Sequence, residues 1–342
     1  MTILLGILGL LVLILTSIDL LWTTFVEGVG PMSLRVALLV GKLLRFSVLH
    51  GKTRRLMAWG GLLVVMASLA TWTLLIWTGW TLIFCSWPTA VVTASTGRPA
   101  DVVQRIYFTG YNLFTLGLGD FVPRGGLFQI LTDVCCASGF FLFGAAIAYL
   151  VPVISAATQK RQVGVYIWSL GKNPADVIFR AWNGADTTAL QPHFIALTTM
   201  LLGLGENHLT YPVLHFFHSA KRSAGVGANI AILDEAITIM ECGLEKGCSL
   251  DLPSLGAVRE AISEYIVTLK PVLMLVYDDG NPPVPSLAPL REIGLPVVDD
   301  ATFAKALEGQ TERRCLLRKL ARIEGWTWDA VWPKNIDLTR GI

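Results

Sequence analysis

Charge is what this chain lacks. Only 15% of its 342 residues are Asp, Glu, Lys or Arg, against 53% hydrophobic, a balance too apolar for an ordinary soluble protein. The shortage is concentrated. Residues 1–158 carry five acids (Asp19, Glu27, Asp101, Asp120 and Asp133) and nine bases, whereas the 184 residues that follow carry 38 charges. The first stretch therefore reads as membrane-embedded and the second as a soluble domain. A formal net charge of +2 argues against nucleic acid as a partner, which calls for a basic patch and a high pI.

Other absences narrow the field further. The six cysteines are scattered, with Cys135 and Cys136 inside an apolar run and only Cys242 and Cys248 moderately close. That pattern makes neither an extracellular disulfide framework nor a zinc ribbon, and it suits a reducing cytoplasm. No apolar run repeats Arg or Lys at every third position, which argues against a voltage-sensing helix. Gly225 and Gly227 follow no strand and do not complete a G-x-G-x-x-G turn, so a dinucleotide-binding regulatory module is not expected. No nucleophile, phosphate loop or complete metal motif stands out, and no enzyme is expected.

What is present begins with three apolar runs. Residues 1–21 lack a basic leader and a small-residue cleavage site, so they read as a retained span within an amino-terminal helical region, 1–27. Residues 56–84 contain no charge, and as a helix they would be roughly 43 Å long. The third run covers about 127–156. Between the first two lie Arg35, Lys42, Arg45, Lys52, Arg54 and Arg55 with no acid after Glu27. By the positive-inside rule this basic linker, 28–55, faces the cytoplasm, which puts the amino terminus outside and residues 159–342 inside. Residues 33–49 intersperse leucines and valines with bases, which fits an amphipathic helix on the inner leaflet or an ordinary helical connector equally well. Asp19, the only charge in the first run, reads as an interfacial group, or as a partner for a base in the linker.

The segment between the second and third runs is oddly apolar. A helix over 105–114 would be roughly 15 Å long, too short to cross a bilayer, so the chain must enter and return. Directly after it stand Thr115, Leu116, Gly117, Leu118, Gly119 and Asp120, followed by Phe121, Val122 and Pro123. This T-L-G-L-G-D closely resembles the T-V-G-Y-G-D selectivity filter of potassium channels. Gly-Leu-Gly, followed by Asp, an aromatic residue, Val and Pro, is most similar to the second pore loop of two-pore-domain potassium channels, although this chain has only one such loop.

The resemblance covers roughly residues 56–158, and the order of its parts matches: span, outside loop, short apolar helix, T-x-G-x-G-D, proline, span. It implies an all-α membrane protein with a tetrameric pore, built from three spans and a re-entrant loop and followed by an all-α cytoplasmic domain. In such a filter, backbone carbonyls of Thr115, Leu116, Gly117 and Leu118 replace the hydration shell of K⁺. Gly117 and Gly119 supply the positive φ angles this needs, with the Thr115 hydroxyl at the innermost site. Leu118 stands where the family has a bracing tyrosine and Leu116 where it has valine, so Asp120 with Tyr107 or Tyr111 is expected to supply support. One loop makes a quarter of the ring, so a homotetramer is implied. K⁺ is the permeant ion, membrane lipids are the surroundings, and no cofactor is called for. A plasma membrane is the expected location, with a bacterial inner membrane the guess from so compact a design. A poorly selective cation channel and a membrane-anchored enzyme or ligand-binding protein remain the alternatives.

In the third run Gly139 and Gly144 are hinge candidates. Pro152 with Ile147, Leu150, Val151 and Ile154 could form a gate if the helices converge there. Beyond Lys160 the pattern predicts helices over 163–182, 187–204, 209–222, 227–246, 254–276, 299–309 and 311–324. Residues 199–206 imitate the filter, but the charged stretch after them rules out a second pore, and Gly203 and Gly205 are expected to end a helix. His193, His208, His215 and His218 with Glu206 and Cys242 are residue types that zinc uses, with His215 and His218 on one helix face. Core or capping roles, or titration near neutral pH, are the other readings of these histidines. The basic, tryptophan-flanked tail after Glu312 reads as an interface helix against a second subunit or lipid. A cytoplasmic ligand of unidentified class would act through this domain.

Overall fold

The computed structural model describes residues 2–49, 57–245, 252–277, 280–334 and 336. Lys52, Arg54, Arg55, Leu56, Gly247, Cys248 and Asp278 lie outside them. The chain is mostly helical and divides into two units, each with its own packing. The first comprises Met1–His50, Gly60–Ile154 and Thr210–Phe216, the second Gly51–Trp59, Ser155–Leu209 and Phe217–Ile342.

In the first unit, helices α1 (Thr2–Phe25), α2 (Pro31–Leu49) and α3 (Gly60–Cys85) are followed by strand β1 (Val91–Thr93) and the short helix α4 (Val102–Leu113). Strand β2 (Phe121–Pro123) and helix α5 (Gly126–Leu170) complete it. Helices α1, α3 and α5 are each long and apolar enough to cross a membrane. Helices α1 and α3 run antiparallel at close range because both present glycine at the crossing. A Cβ on Gly9 would come 2.6 Å from the Gly79 carbonyl oxygen, and one on Gly6 would meet Ser86 at 3.3 Å. Small residues of this kind let helix backbones approach where apolar burial gives little drive.

Among the described residues Asp19 pairs with no base. It is buried inside the unit and acts as a remote cap for α2. Its carboxylate accepts from the Met32 amide at 2.7 Å, the Ser33 hydroxyl at 2.6 Å and the Trp72 indole at 2.9 Å. The first amides of α2, which have no partner inside their helix, thus find one in α1.

Helix α5 does not stop near residue 156. It runs unbroken through Pro152 to Leu170, so residues 126–154 belong to the first unit and 155–170 to the second. The second unit continues with α6 (Pro174–Ala181), α7 (Gln191–Thr210), α8 (Val226–Cys242) and α9 (Leu252–Leu273). It ends with α10 (Ala288–Glu292), α11 (Asp300–Glu308) and α12 (Thr311–Ile323). The expected helix 163–182 is broken at Gly171, where a Cβ would lie 2.4 Å from the Val177 amide; Asn173 then caps α6. The expected helix 209–222 does not form. α7 ends before Pro212, which cannot donate to an α-helical ladder, and only 3₁₀ turns at Pro212–Phe216 and Arg222–Ala224 follow. Gly203 and Gly205 lie within α7 instead of ending it.

Helix α8 is the axis of the second core, buried from Val226 through Met240. Its adjacent acids Asp234 and Glu235 are matched by Arg313 and Arg314 of α12. Arg313 Nε bonds both Asp234 oxygens at 3.0 Å, and Arg314 forks onto Glu235 at 2.7 and 3.0 Å. Burial pushes the Glu235 carboxyl upward, opposed by the Arg314 guanidinium and the Trp332 indole. One face of the tail helix, Arg314, Leu317, Leu320 and Ala321, is therefore part of the core of the second unit.

Candidate functional site

The T-L-G-L-G-D segment hangs between α4 and β2, and its conformation follows from three residues. Thr115, Gly117 and Gly119 have φ of +58°, +57° and +81°, while Leu116 and Leu118 stay on the negative side. The sign of φ thus alternates along the segment. That alternation flips successive peptide planes, which lets neighbouring carbonyls share a side where an ordinary strand would alternate them. The glycines were expected there. Thr115 was not, and it is the only non-glycine at positive φ among the described residues, a conformation that costs free energy and persists only where surroundings enforce it.

The enforcement is local. The amides of Phe114, Thr115 and Leu116 bond back to the carbonyls of Gly110, Asn112 and Tyr111 at 3.0, 2.9 and 2.7 Å, which ties the segment to the last turn of α4. At the far end Asp120 accepts through its carbonyl from the Ala94 amide at 3.0 Å, and β2 pairs antiparallel with β1. Tyr111 donates to the Phe121 carbonyl, one residue past the support expected at Asp120. Tyr107 stands 3.5 Å from the Asp120 carboxylate. In the single chain Leu116 and Leu118 are 64% and 53% exposed.

Helix α4 is positioned at both ends. Asp101 and Gln104 form a reciprocal capping box at its start. The Trp77 indole donates to the Ile106 carbonyl at 3.0 Å, and Gly110 lets the same ring approach, since a Cβ there would lie 2.7 Å from it. At the end of α4, the Leu113 carbonyl fits against Gly139 of α5, where a Cβ would come within 1.8 Å of the oxygen. Gly139 is thus a contact glycine, whereas Gly144 has open space around it. One stripe of α5, including Cys135, Leu142, Ala145, Tyr149 and Val153, is buried. Ile147, Val151 and Ile154 are exposed, and Leu150 and Pro152 are half-buried.

The chain is 32% identical over 322 residues to an uncharacterized membrane protein, YdjJ, from Bacillus subtilis (strain 168), an alignment that covers 94% of each chain. The chain belongs to the YdjJ family. No protein-family model and no solved structure matches it. Membership in the YdjJ family and three bilayer-length helices together establish a multi-pass membrane protein.

The histidine set of this YdjJ-family chain does not make a metal centre. Among the described residues no three His, Cys, Asp or Glu side chains gather closely enough to hold an ion. His215 and His218 do not share a helix face, because the helix that would align them is absent. His208 is buried, with Nδ1 2.9 Å from the Leu204 carbonyl and its ring against Tyr265. His193 bonds the Tyr166 hydroxyl at 2.9 Å. Cys242, at the end of α8, has its thiol pushed up by burial and by Glu241, which disfavours the thiolate a metal would need.

Sequence reasoning missed the anchor of α5 in the second unit. Lys160 is buried, paired with Glu324 at 3.0 Å and donating to the Phe217 carbonyl at 3.0 Å. The other Glu324 oxygen accepts from the Gly227 amide at the start of α8. The Asn229 side-chain amide donates to the Gly164 carbonyl at 2.7 Å, and the Arg222 guanidinium lies over the rings of both Trp168 and Trp326. Lys160 had only looked like a span-flanking base.

Proposed function

We propose that this protein is the subunit of a homotetrameric potassium channel, with α4 as pore helix, Thr115 to Gly119 as selectivity filter, α3 as outer helix and α5 as inner helix. The observation that carries the reading is the alternating sign of φ from Thr115 to Gly119, held on one side by α4 and on the other by the β1–β2 strand pair. Four such segments around an axis would present rings of carbonyls to a dehydrated K⁺. Non-helical backbone at membrane depth is tolerated only when buried in protein or lining a water-filled cavity. The exposed Leu116 and Leu118 of one chain call for neighbours on the same ground. The amino end of α1 lies beside the carboxyl end of α3, so both face the outside in this reading, and the second unit faces the cytoplasm of a bacterial cell.

Gating falls to α5. Ile147, Val151 and Ile154 form the exposed apolar stripe that would close the conduit. The same helix enters the second unit, where Lys160, Gly164 and Trp168 are gripped. A ligand or ionic condition that repacks that unit would act on the gate through α5, whose sequence runs into both. The reading involves no bond-breaking chemistry and no cofactor.

Recordings from planar bilayers under a K⁺/Na⁺ gradient test it. The reversal potential should follow K⁺, Gly117→Ala should abolish the current because alanine resists the required φ, and Leu118→Tyr should keep or tighten selectivity. Equal K⁺ and Na⁺ permeabilities would replace it with a poorly selective cation channel, in keeping with the missing filter tyrosine. Normal current from Gly117→Ala would refute the filter assignment.

A further inference from the structure

We infer that Arg105 is a positioning residue for the filter: its buried guanidinium locks the pore helix to the end of the outer helix and so fixes where Thr115 to Gly119 stand. The inference rests on the channel reading. Arg105 is 7% exposed. It donates to the carbonyls of Ala100, Phe84, Trp87 and Pro88 at 2.9, 2.8, 2.9 and 2.5 Å. These acceptors come from three places: the last turn of α3, the turn that leaves it, and the residue before the Asp101 cap of α4. None is a carboxylate, and among the described residues Arg105 enters no salt bridge.

The chemistry suits the position. The last carbonyls of a helix have no partner within it, and near a bilayer they cannot be left bare. A guanidinium presents several donors in a rigid fork, so one side chain can hold the end of α3 and the start of α4 in a single geometry. Lysine, a point charge on a flexible stem, cannot reproduce that register.

The consequence reaches the filter by leverage. Twelve residues make α4 about 18 Å long, and its far end passes directly into Phe114 and Thr115 through the backbone bonds described above. A tilt of only about 3° at the clamp would move the first filter carbonyl by about 1 Å, given that length. Selectivity depends on the size of the carbonyl cage and on the field of its dipoles, so such a shift should appear as discrimination between ions. The Trp77 contacts and the Asp101 cap hold α4 independently of Arg105, which allows the variants to fold.

The test compares Arg105→Lys and Arg105→Gln with the wild type in full-length protein reconstituted in liposomes. Tetramer yield is read by size-exclusion chromatography, and K⁺ and Na⁺ fluxes are read separately. The expected result is a wild-type yield with a K⁺/Na⁺ flux ratio clearly below the wild-type ratio in Arg105→Gln, and an intermediate ratio in Arg105→Lys. Wild-type ratios in both variants would overturn the inference and leave the channel reading standing. Failure of both variants to assemble would also overturn it, by making Arg105 a folding residue. A wild-type protein that carries no K⁺ would overturn the channel reading, and this inference with it.

Discussion

Substituting Gly139 by alanine puts α4 and α5 in direct conflict. The added Cβ would lie 1.8 Å from the Leu113 oxygen and 2.8 Å from its carbon, about 1.5 Å short of ordinary contact for the oxygen. The obstacle is backbone at the end of α4, so no rotamer change relieves it, and either α5 or the last turn of α4 must move. Overpacking of this kind costs typically about 1–3 kcal/mol, and a backbone clash belongs at the upper end. Replacing glycine in a helix returns up to about 1 kcal/mol, which leaves a net loss of about 2 kcal/mol. By the usual scaling that lowers the thermal midpoint by about 4–8 °C. Because Leu113 lies two residues before Thr115, a shift of that size also reaches the filter, and K⁺ flux should fall by more than the loss of folded protein explains. Gly144→Ala is the internal control, since nothing lies within 4 Å of its added Cβ, and it should be neutral or slightly stabilising. The assay is a melting curve in detergent together with liposome flux for both variants. A Gly139→Ala protein that matches Gly144→Ala in midpoint and flux would refute the packing argument.

Two further predictions concern buried charge. Asp19→Ala removes the acceptor shared by the Met32 amide, the Ser33 hydroxyl and the Trp72 indole. It should destabilise by about 2 kcal/mol, the loss of a cap plus an orphaned donor, and Asp19→Asn, which keeps one carbonyl oxygen, should lose less; melting curves decide. In the second unit, Arg314→Met leaves Glu235 buried without its fork and should cost about 3–5 kcal/mol. The double variant Arg314→Met/Glu235→Leu should recover most of that loss, and a double variant no better than the single would show that the pair does more than neutralise itself.

The sequence made legible whatever is enforced within a few residues. The three spans were readable because a bilayer demands uninterrupted apolar length, and the T-L-G-L-G-D segment because glycine at alternate positions announces a backbone few other sequences adopt. Thr115 at positive φ was not foreseen, since its conformation comes from the bonds that tie Thr115 and Leu116 back to α4. The other misses are long-range. Arg105 drew no role from the sequence because its four acceptors are carbonyls, which carry no signature there. Asp19 and α2 are 13 residues apart, and Asp19 and Trp72 are 53 apart. Arg313 and Arg314 read as part of a basic interface helix, and their partners are acids 79 residues away that no local pattern reveals. Helix ends erred in both directions: Pro212 stopped a helix the apolar pattern would have continued, whereas α5 ran past the end expected at 156 to Leu170.

The most direct test of the central claim is ion flux through the purified protein in liposomes, under a K⁺ gradient and then a Na⁺ gradient, with Gly117→Ala as the matched control. The account predicts K⁺ flux well above Na⁺ flux in the wild type and none in the variant. Flux of either ion that survives Gly117→Ala unchanged would contradict it.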